Sequence, residues 1–297
     1  MSSAIDRFLR YVTFETTSDH ASTSNPSTKQ QFNLAKLLVQ ECKQLGLTNI
    51  YLSEQCHVLA ELPANTDKKI PVIGFNAHLD TSPDYSGANI HPRMIEYSGG
   101  DVIVNQETGV ILSPEQFPFL KEKVGKHFII PDGTTLLGAD DKAGISEIMA
   151  AVEYLIDHPE IEHGTVKICF TPDEEIGRGV DYFDYERFNA DFAYTIDGGE
   201  IGTINYENFN AATAKIEITG KSIHPGDAKG KMVNAGRIAI ELDGMLPVEQ
   251  KPEYTEKYEG FFHLLEIHGS IPKASLWYII RDHDKEIFDV KKQLLLQ

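Results

Sequence analysis

Three carboxylates in a row close the segment Phe170-Thr171-Pro172-Asp173-Glu174-Glu175-Ile176-Gly177, directly after an apolar run, Val166 to Phe170, that reads as a buried strand. A strand end is a costly place for like charges unless a cation compensates them, because an unpaired buried carboxylate must otherwise take up a proton. The pattern recurs. Pro71 to Ala77 leads into His78-Leu79-Asp80, and Phe192 to Ile196 leads into Asp197-Gly198-Gly199-Glu200. A fourth cluster, Gly138-Ala139-Asp140-Asp141-Lys142-Ala143-Gly144, stands at a loop-to-helix junction. Oxygen and nitrogen donors without thiolate suit Zn²⁺, Mn²⁺ or Co²⁺. A carboxylate shared by two such ions is the mark of a hydrolytic two-metal site.

Taken singly, each motif has an ordinary explanation. His78 and Asp80 lie two apart, so on extended chain they point the same way, and the carboxylate can orient a metal-bound imidazole. A solvated strand end explains the pair equally simply. Asp140 and Asp141 suit a helix N-terminus as caps. Glu174 and Glu175, if extended, point in opposite directions, one toward metal and one toward a substrate water; a solvated acidic turn is the plain alternative. Asp197 before two glycines reads as a turn. Their joint occurrence in one α/β pattern is what makes a metal site the better reading.

The elements that must hold these residues follow from periodicity. Ala4 to Phe14, Gln30 to Leu45 and Ala143 to Asp157 repeat their apolar residues at helical spacing. Asn49 to Leu52, His57 to Leu62, Pro71 to Ala77, Val166 to Phe170 and Phe192 to Ile196 read as strands. Ser18 to Thr28 reads as a loop, and 82–126 as surface insertions with short hairpins. Strands alternating with helices indicate a layered α/β sheet whose ligands gather at strand carboxyl ends. After Asn205 the pattern changes. Thr213 to Thr219 alternates with period two, Val233 to Leu246 is helical, Phe261 to His268 and Leu276 to Arg281 are strands, and Lys285 to Leu296 is a helix. This βαββα run reads as a second, smaller α+β domain.

Composition narrows the partners. A formal charge of −18 over 297 residues leaves no basic footprint for nucleic acid or an anionic membrane. The three cysteines, Cys42, Cys56 and Cys169, form no CxxC pair, so neither a disulfide framework nor a thiolate zinc site is expected. The N-terminus lacks a basic segment followed by an apolar one, and no uncharged apolar run approaches the roughly 20 residues of a membrane span. A cytoplasmic protein is the expectation.

With Gly74 to Ser82, Gly133 to Gly144, Phe170 to Gly177 and Ser222-Ile223-His224-Pro225-Gly226 in view, the chain resembles the tripeptide aminopeptidases of the M20 family of di-zinc exopeptidases. The resemblance implies a zinc-exopeptidase-like three-layer α/β catalytic domain over 1–207 and a ferredoxin-like α+β lid and dimerisation domain over 208–297. It implies two zinc ions per full-length subunit: His78 and Asp197 on one, Asp140 bridging, Glu175 on the second. It makes Asp80 and Glu174 the catalytic pair, Asp80 orienting His78 and Glu174 taking a proton from the metal-bridging water. It gives substrate contacts to His224, which reaches a carbonyl oxygen, often from the partner of a homodimer, and to Arg281, clamping a peptide carboxylate with Asn234 as helper. Position alone offers blander readings, a surface His and an Arg paired with a nearby Asp. The other nine histidines, His57 among them, are expected to be structural or surface residues.

The chain also departs from the family pattern. A complete member continues past residue 297, finishes the lid, returns to the catalytic domain and supplies a final His to the second zinc. The expectation is therefore a weakly held second zinc and reduced or absent turnover for this chain alone. Two other readings stay open: a related M20 amidohydrolase or deacylase acting on N-acyl amino acids, and a metal-binding fragment without catalysis.

Overall fold

In the computed structural model, which describes residues 3–296, the chain divides into two compact units, Met1–Ile201 and Gly202–Gln297. Residues 1, 2 and 297, which the expected domain bounds include, lie outside the described residues. The first unit opens with helix α1 (Ala4–Tyr11), started by a reciprocal cap between Ser3 and Asp6. Helix α2 (Gln31–Gln44) follows a long polar loop and buries Leu34, Ala35, Leu38 and Cys42, one face at helical spacing. Strands β1 (Thr48–Leu52), β2 (Val58–Leu62) and β3 (Ile73–His78) come next. The stretch read as insertions with short hairpins, 82–126, and the residues just after it hold short strands β4 (Arg93–Glu96), β5 (Val102–Asn105), β6 (Val110–Leu112) and β7 (His127–Ile130), paired β4 with β7 and β5 with β6. Helix α3 (Ala139–Asp157), strand β8 (Val166–Thr171), the single turn α4 (Tyr185–Phe188) and strand β9 (Phe192–Thr195) complete the unit.

The main sheet runs β1-β2-β8-β3-β9. Its β8, β3 and β9 are parallel and in register, His78 opposite Thr171 and Asn76 opposite Thr195, so their carboxyl ends finish at one level. Three of the acidic motifs are the loops that leave those ends. The near-continuous apolar β8, buried at Val166, Ile168, Cys169 and Phe170, is what a strand inside a parallel sheet requires. Helix α2 packs on β1 and β2, α3 packs on β3, and α1 packs on α3. They close a core of Leu34, Leu38, Val58, Ile145, Met149 and Phe170, each burial worth roughly 1.5–3 kcal/mol before the entropy of ordering is subtracted.

The second unit is βαββα. Strand β10 (Asn210–Thr219), helix α5 (Ala235–Met245), strands β11 (Phe261–Gly269) and β12 (Lys273–Asp282) and helix α6 (Lys285–Leu296) form an antiparallel sheet in the order β10-β12-β11. Alternate residues of β12, Leu276, Tyr278 and Ile280, are buried under Ala235 and Ala239 of α5 and Phe288 of α6. The period-two pattern read over Thr213 to Thr219 holds for all ten residues of β10. Among the described residues no helix is long and apolar enough to cross a membrane.

Candidate metal centre

His78, the last residue of β3, is the hub. Its ring is almost wholly buried. Nδ1 faces the Asp80 backbone carbonyl at 3.0 Å and the Asp80 carboxylate at 3.3 Å, while Nε2 faces Asp140 Oδ1 at 2.8 Å and Glu174 Oε2 at 3.8 Å. A carbonyl can only accept, so Nδ1 carries a hydrogen and Nε2 is the nitrogen left to ligate. Burial opposes charging this ring, yet Asp80 and then Asp141 and Asp140 outweigh it and raise its pKa to about 10. Two sets of ligand atoms lie within 4.8 Å of one another: His78 with Asp140 and Glu175, and His78 with Asp141 and Asp197. His78, Asp80, Asp140, Glu174, Glu175 and Asp197, spread over 120 positions, are thus brought to one place.

The local chain explains how. Gly138, at φ 74°, turns the loop into α3, and Asp140 and Asp141 keep non-helical backbone angles at its start. Asp140 projects outward with a side chain 70% exposed. Asp141 is buried instead, its two oxygens accepting from the backbone N–H groups of His78 at 3.1 Å and Gly144 at 3.2 Å. That bridge ties the end of β3 to the start of α3. Lys142, wholly buried, donates to the Phe14 carbonyl at 2.7 Å, and burial lowers its pKa to about 7 against the pull of Asp80.

Glu174 and Glu175 do not lie on extended chain and are not splayed to opposite sides. Asp173 sits at φ 54° and throws Glu174–Ile176 into a single 3-10 turn that Gly177 ends at φ 71°. Both glutamate amides donate to Asp80, at 2.9 Å to Oδ1 and 3.2 Å to Oδ2. Asp80 therefore orients the imidazole and anchors the glutamate turn together. Pro172-Asp173 and Gly177 were the turn signals in the sequence that favour this over a strand.

The cluster's electrostatics fit a divalent cation. Burial first, then neighbouring carboxylates, lifts four acids despite the opposing pull of His78: Asp141 to about 8 with Asp197 adding, and Glu175 to about 7 with Asp140 adding. Glu174 and Asp197 are raised by the same causes, burial leading, with Asp197 and Asp140 respectively as the foremost carboxylate neighbours. One imidazole and carboxylate oxygens converging under mutual repulsion are the donor set and charge that a hard-to-borderline divalent ion relieves. A cleft of about 380 Å³, lined by Asp140, Asp141, Glu147, Asp197 and Glu200 among others, opens beside the cluster.

The remaining expected site residues belong to the second unit. His224 Nδ1 accepts from the Gly226 N–H at 3.2 Å and so caps its own turn. Asn234 is the N-cap of α5, its Oδ1 accepting from the Arg237 N–H at 3.2 Å. Arg281 lies over the rings of Phe209 at 4.5 Å and Phe261 at 6.0 Å, and its Nε is buried without a hydrogen-bond partner. The ion pair of the neighbouring Asp282 goes instead to Lys291, at 3.5 Å. Three residues of the quoted motifs that were given no place in the site also shape the centre: Asp141, Lys142 and Asp173. Asp141 does cap the start of α3 through the Gly144 N–H, but the partners that matter to the centre, the His78 amide, the Phe14 carbonyl and Ser27 with Gln31, are distant in sequence.

The model of the peptidase dimerisation domain, a domain of the M20 peptidases, matches residues 206–297. A curated protein named peptidase T from Alkaliphilus oremlandii (strain OhILAs) is 59% identical over 99% of this chain and 73% of its own length. The chain belongs to the peptidase T family. Solved structures agree on the fold. Aminopeptidase PepT from Bacillus cereus ATCC 10987 superposes with a TM-score of 0.69 at 23% identity, over 98% of this chain and 69% of that one. The YXEP protein of Bacillus subtilis, described as a dinuclear metal-binding peptidase of the M20 family, gives a TM-score of 0.55 at 16% identity, over 98% of this chain and 67% of that one. The α/β unit and the βαββα unit are thus the layered and lid folds that the resemblance implied.

Proposed function

We propose that this peptidase T chain is a two-metal aminopeptidase that releases the N-terminal residue of tripeptides, with zinc as the metal and residues 1–207 and 208–297 as its catalytic and lid domains. The observation that carries it is the convergence, at the carboxyl ends of parallel strands, of two ligand sets that share His78, one with Asp140 and Glu175 and one with Asp141 and Asp197, with Asp80 held against the imidazole. In this reading His78 and Asp197 would hold one ion, Glu175 the other, and Asp140 both. Bound divalent ions acidify water and polarise a carbonyl oxygen.

The chain's own groups do the rest. Asp80 keeps the proton on His78 Nδ1, so that Nε2 stays a ligand. Glu174 accepts the proton of the attacking water and delivers it to the leaving amine nitrogen. Its pKa is raised by burial first and then by Asp197, Asp80 and Asp140 against the pull of His78, which makes it a better proton acceptor than an ordinary carboxylate. In the second unit, Arg281 binds the peptide's terminal carboxylate, its planar fork matching two oxygens, with Asn234 assisting, and His224 donates to a carbonyl oxygen. The unit also carries homodimer formation.

Titration with Zn²⁺ and Co²⁺, followed by a panel of tripeptides and N-acyl amino acids, tests the reading. Expected is ion binding that His78→Ala weakens by about 100-fold or more, and turnover, even where it is slow, of tripeptides and not of N-acyl amino acids. Acyl release with no tripeptide cleavage would make the chain a deacylase, and ion binding without turnover a metal-binding fragment. Arg281→Lys should raise KM for tripeptides about tenfold or more and leave tripeptide amides unaffected, since the lost fork has nothing to grip there.

A further inference from the structure

The turn that bears Glu174 and Glu175 is fixed by a carboxylate that the proposed chemistry leaves unused. Asp173 is fully buried. Its Oδ2 accepts from the Ser27 backbone N–H at 2.6 Å, and its Oδ1 accepts from the Ser27 hydroxyl at 2.6 Å and the Gln31 amide at 2.7 Å. Its backbone is held as well: its N–H donates to Gln31 Oε1 at 3.2 Å, and its carbonyl accepts from the Arg178 N–H at 2.9 Å. All of the donors to its carboxylate are neutral. A carboxylate is expensive to bury on such terms, and an uncharged residue of the same shape would fill the space more cheaply, so its charge asks for a reason other than packing.

The loop it grips supplies one. Gln31 also donates to Thr28 Oγ1 at 3.2 Å, Thr28 donates to the Thr17 carbonyl at 2.7 Å, and the stretch around Thr17 pairs with Thr81, Ser18 N–H to Thr81 carbonyl at 3.1 Å and Thr81 N–H to Thr16 carbonyl at 3.3 Å. Arg178, just past the turn, donates to the Ser22 and Ser24 carbonyls at 3.0 and 2.6 Å. Segment 16–31 therefore joins the residue after Asp80 to the residue before Glu174. Asp80 holds the two glutamate amides, and Asp173 holds the hinge from which the turn departs.

We infer that Asp173 is a positioning residue for Glu174 and Glu175, acting through Ser27 and Gln31 to hold the glutamate turn in register with the His78–Asp80 end of the centre. The inference rests on the proposed role of Glu174, but its geometric half can be read without catalysis. Asparagine tolerates the positive φ, yet it sets an NH₂ group against donors that already point there.

In the metal-free chain, Asp173→Asn should speed amide hydrogen exchange at 174, 175 and 178 by about tenfold while exchange in β2 stays unchanged. In the Co²⁺-loaded chain it should lower kcat by about 30-fold with KM within about twofold, and alter the Co²⁺ d–d absorption, which a distant loss of stability would not do. Exposed Glu186→Gln is the control and should change none of these. Should Asp173→Asn fail to fold, Ser27→Ala, which removes the hydroxyl and keeps the amide, should show the same pattern at about fivefold. Unchanged exchange at 174–178, or kcat reduced only in step with the folded fraction, overturns the inference. A wild-type chain that neither binds Co²⁺ nor cleaves tripeptides overturns the peptidase reading instead, and the exchange data still decide whether Asp173 fixes the turn.

Discussion

At the scale of residues, the role proposed for Glu174 separates chemistry from binding. It faces His78 Nε2 at 3.8 Å yet belongs to neither set of converging ligand atoms. Glu174→Gln should therefore lower kcat by about 10²–10⁴ while metal affinity stays within about threefold, readable by titration calorimetry beside single-turnover kinetics. His57 gives a residue-scale pH dependence away from the metal. It is buried, its Nε2 donates to the Gly179 carbonyl at 2.9 Å, and its Nδ1 faces the Ser53 hydroxyl at 3.3 Å. Burial lowers its pKa against the pull of Gly179 and Asp173. A lowered folded pKa means that the unfolded chain takes up the proton first. The His57 contribution is thus complete above the unfolded value of about 6.5 and fades as pH falls through the folded one, with a slope bounded at about 1.4 kcal/mol per pH unit. Denaturant unfolding at pH 7.5 and 5.5 should show a smaller loss on acidification for His57→Gln than for the unaltered chain. The proposed ligands could be picked out in the sequence because each sits beside a strand end or helix start that periodicity reveals. Asp141 was legible as a cap but not as a tie to His78, and Asp173 and His57 were given no role, because what makes all three matter is a partner 63 to 146 residues away.

At the scale of elements, the centre depends on how closely the start of α3 approaches the end of β9. A Cβ at Gly144 would stand 2.0 Å from the Ile196 carbonyl oxygen and 2.4 Å from Asp141 Oδ1. Neither can yield cheaply, since one is backbone and the other is tied to the His78 amide. Gly144→Ala should cost on the order of 3 kcal/mol in unfolding free energy and, by pushing Asp141 and the chain before Asp197 apart, weaken metal binding as well. A denaturant midpoint and a metal titration on one preparation check both halves; a loss of stability with metal affinity intact would show that the contact serves packing alone. The elements themselves were largely readable. Helices with an apolar stripe and strands with continuous or alternating apolar residues came out within a few residues of their bounds, β10 and β12 proving longer than their most apolar parts. Of the two conformations open for the glutamate pair, extended chain and acidic turn, the turn is the one that forms, because turn chemistry takes over at Pro172-Asp173. The insertion between β3 and α3 resisted reading because its strands, of three or four residues, are too short to show a period.

At the scale of the whole molecule, the two units have separate cores, and every proposed metal ligand lies in the first. An ion that binds only the folded state adds RT ln(1 + [L]/Kd), about 2.7 kcal/mol at a hundredfold excess over Kd. That stabilisation should go to the unit that holds the ion. The chain has one tryptophan, Trp277, on β12 of the second unit, so its fluorescence follows that unit's unfolding. Tyr11 and Tyr97, buried in the first unit, and Tyr278, buried in the second, contribute to the near-ultraviolet dichroism, so the part of its transition that does not coincide with the Trp277 fluorescence follows the first unit. Adding Zn²⁺ should therefore shift that first-unit part of the dichroism transition upward by several degrees and leave the Trp277 transition in place, and a chelator should reverse the shift. If both transitions move together, the two units unfold as one cooperative block and the metal's stabilisation reaches β12 through that coupling. If neither moves, the acidic residues around His78 hold no ion tightly enough to matter, and the two-metal reading loses its thermodynamic support.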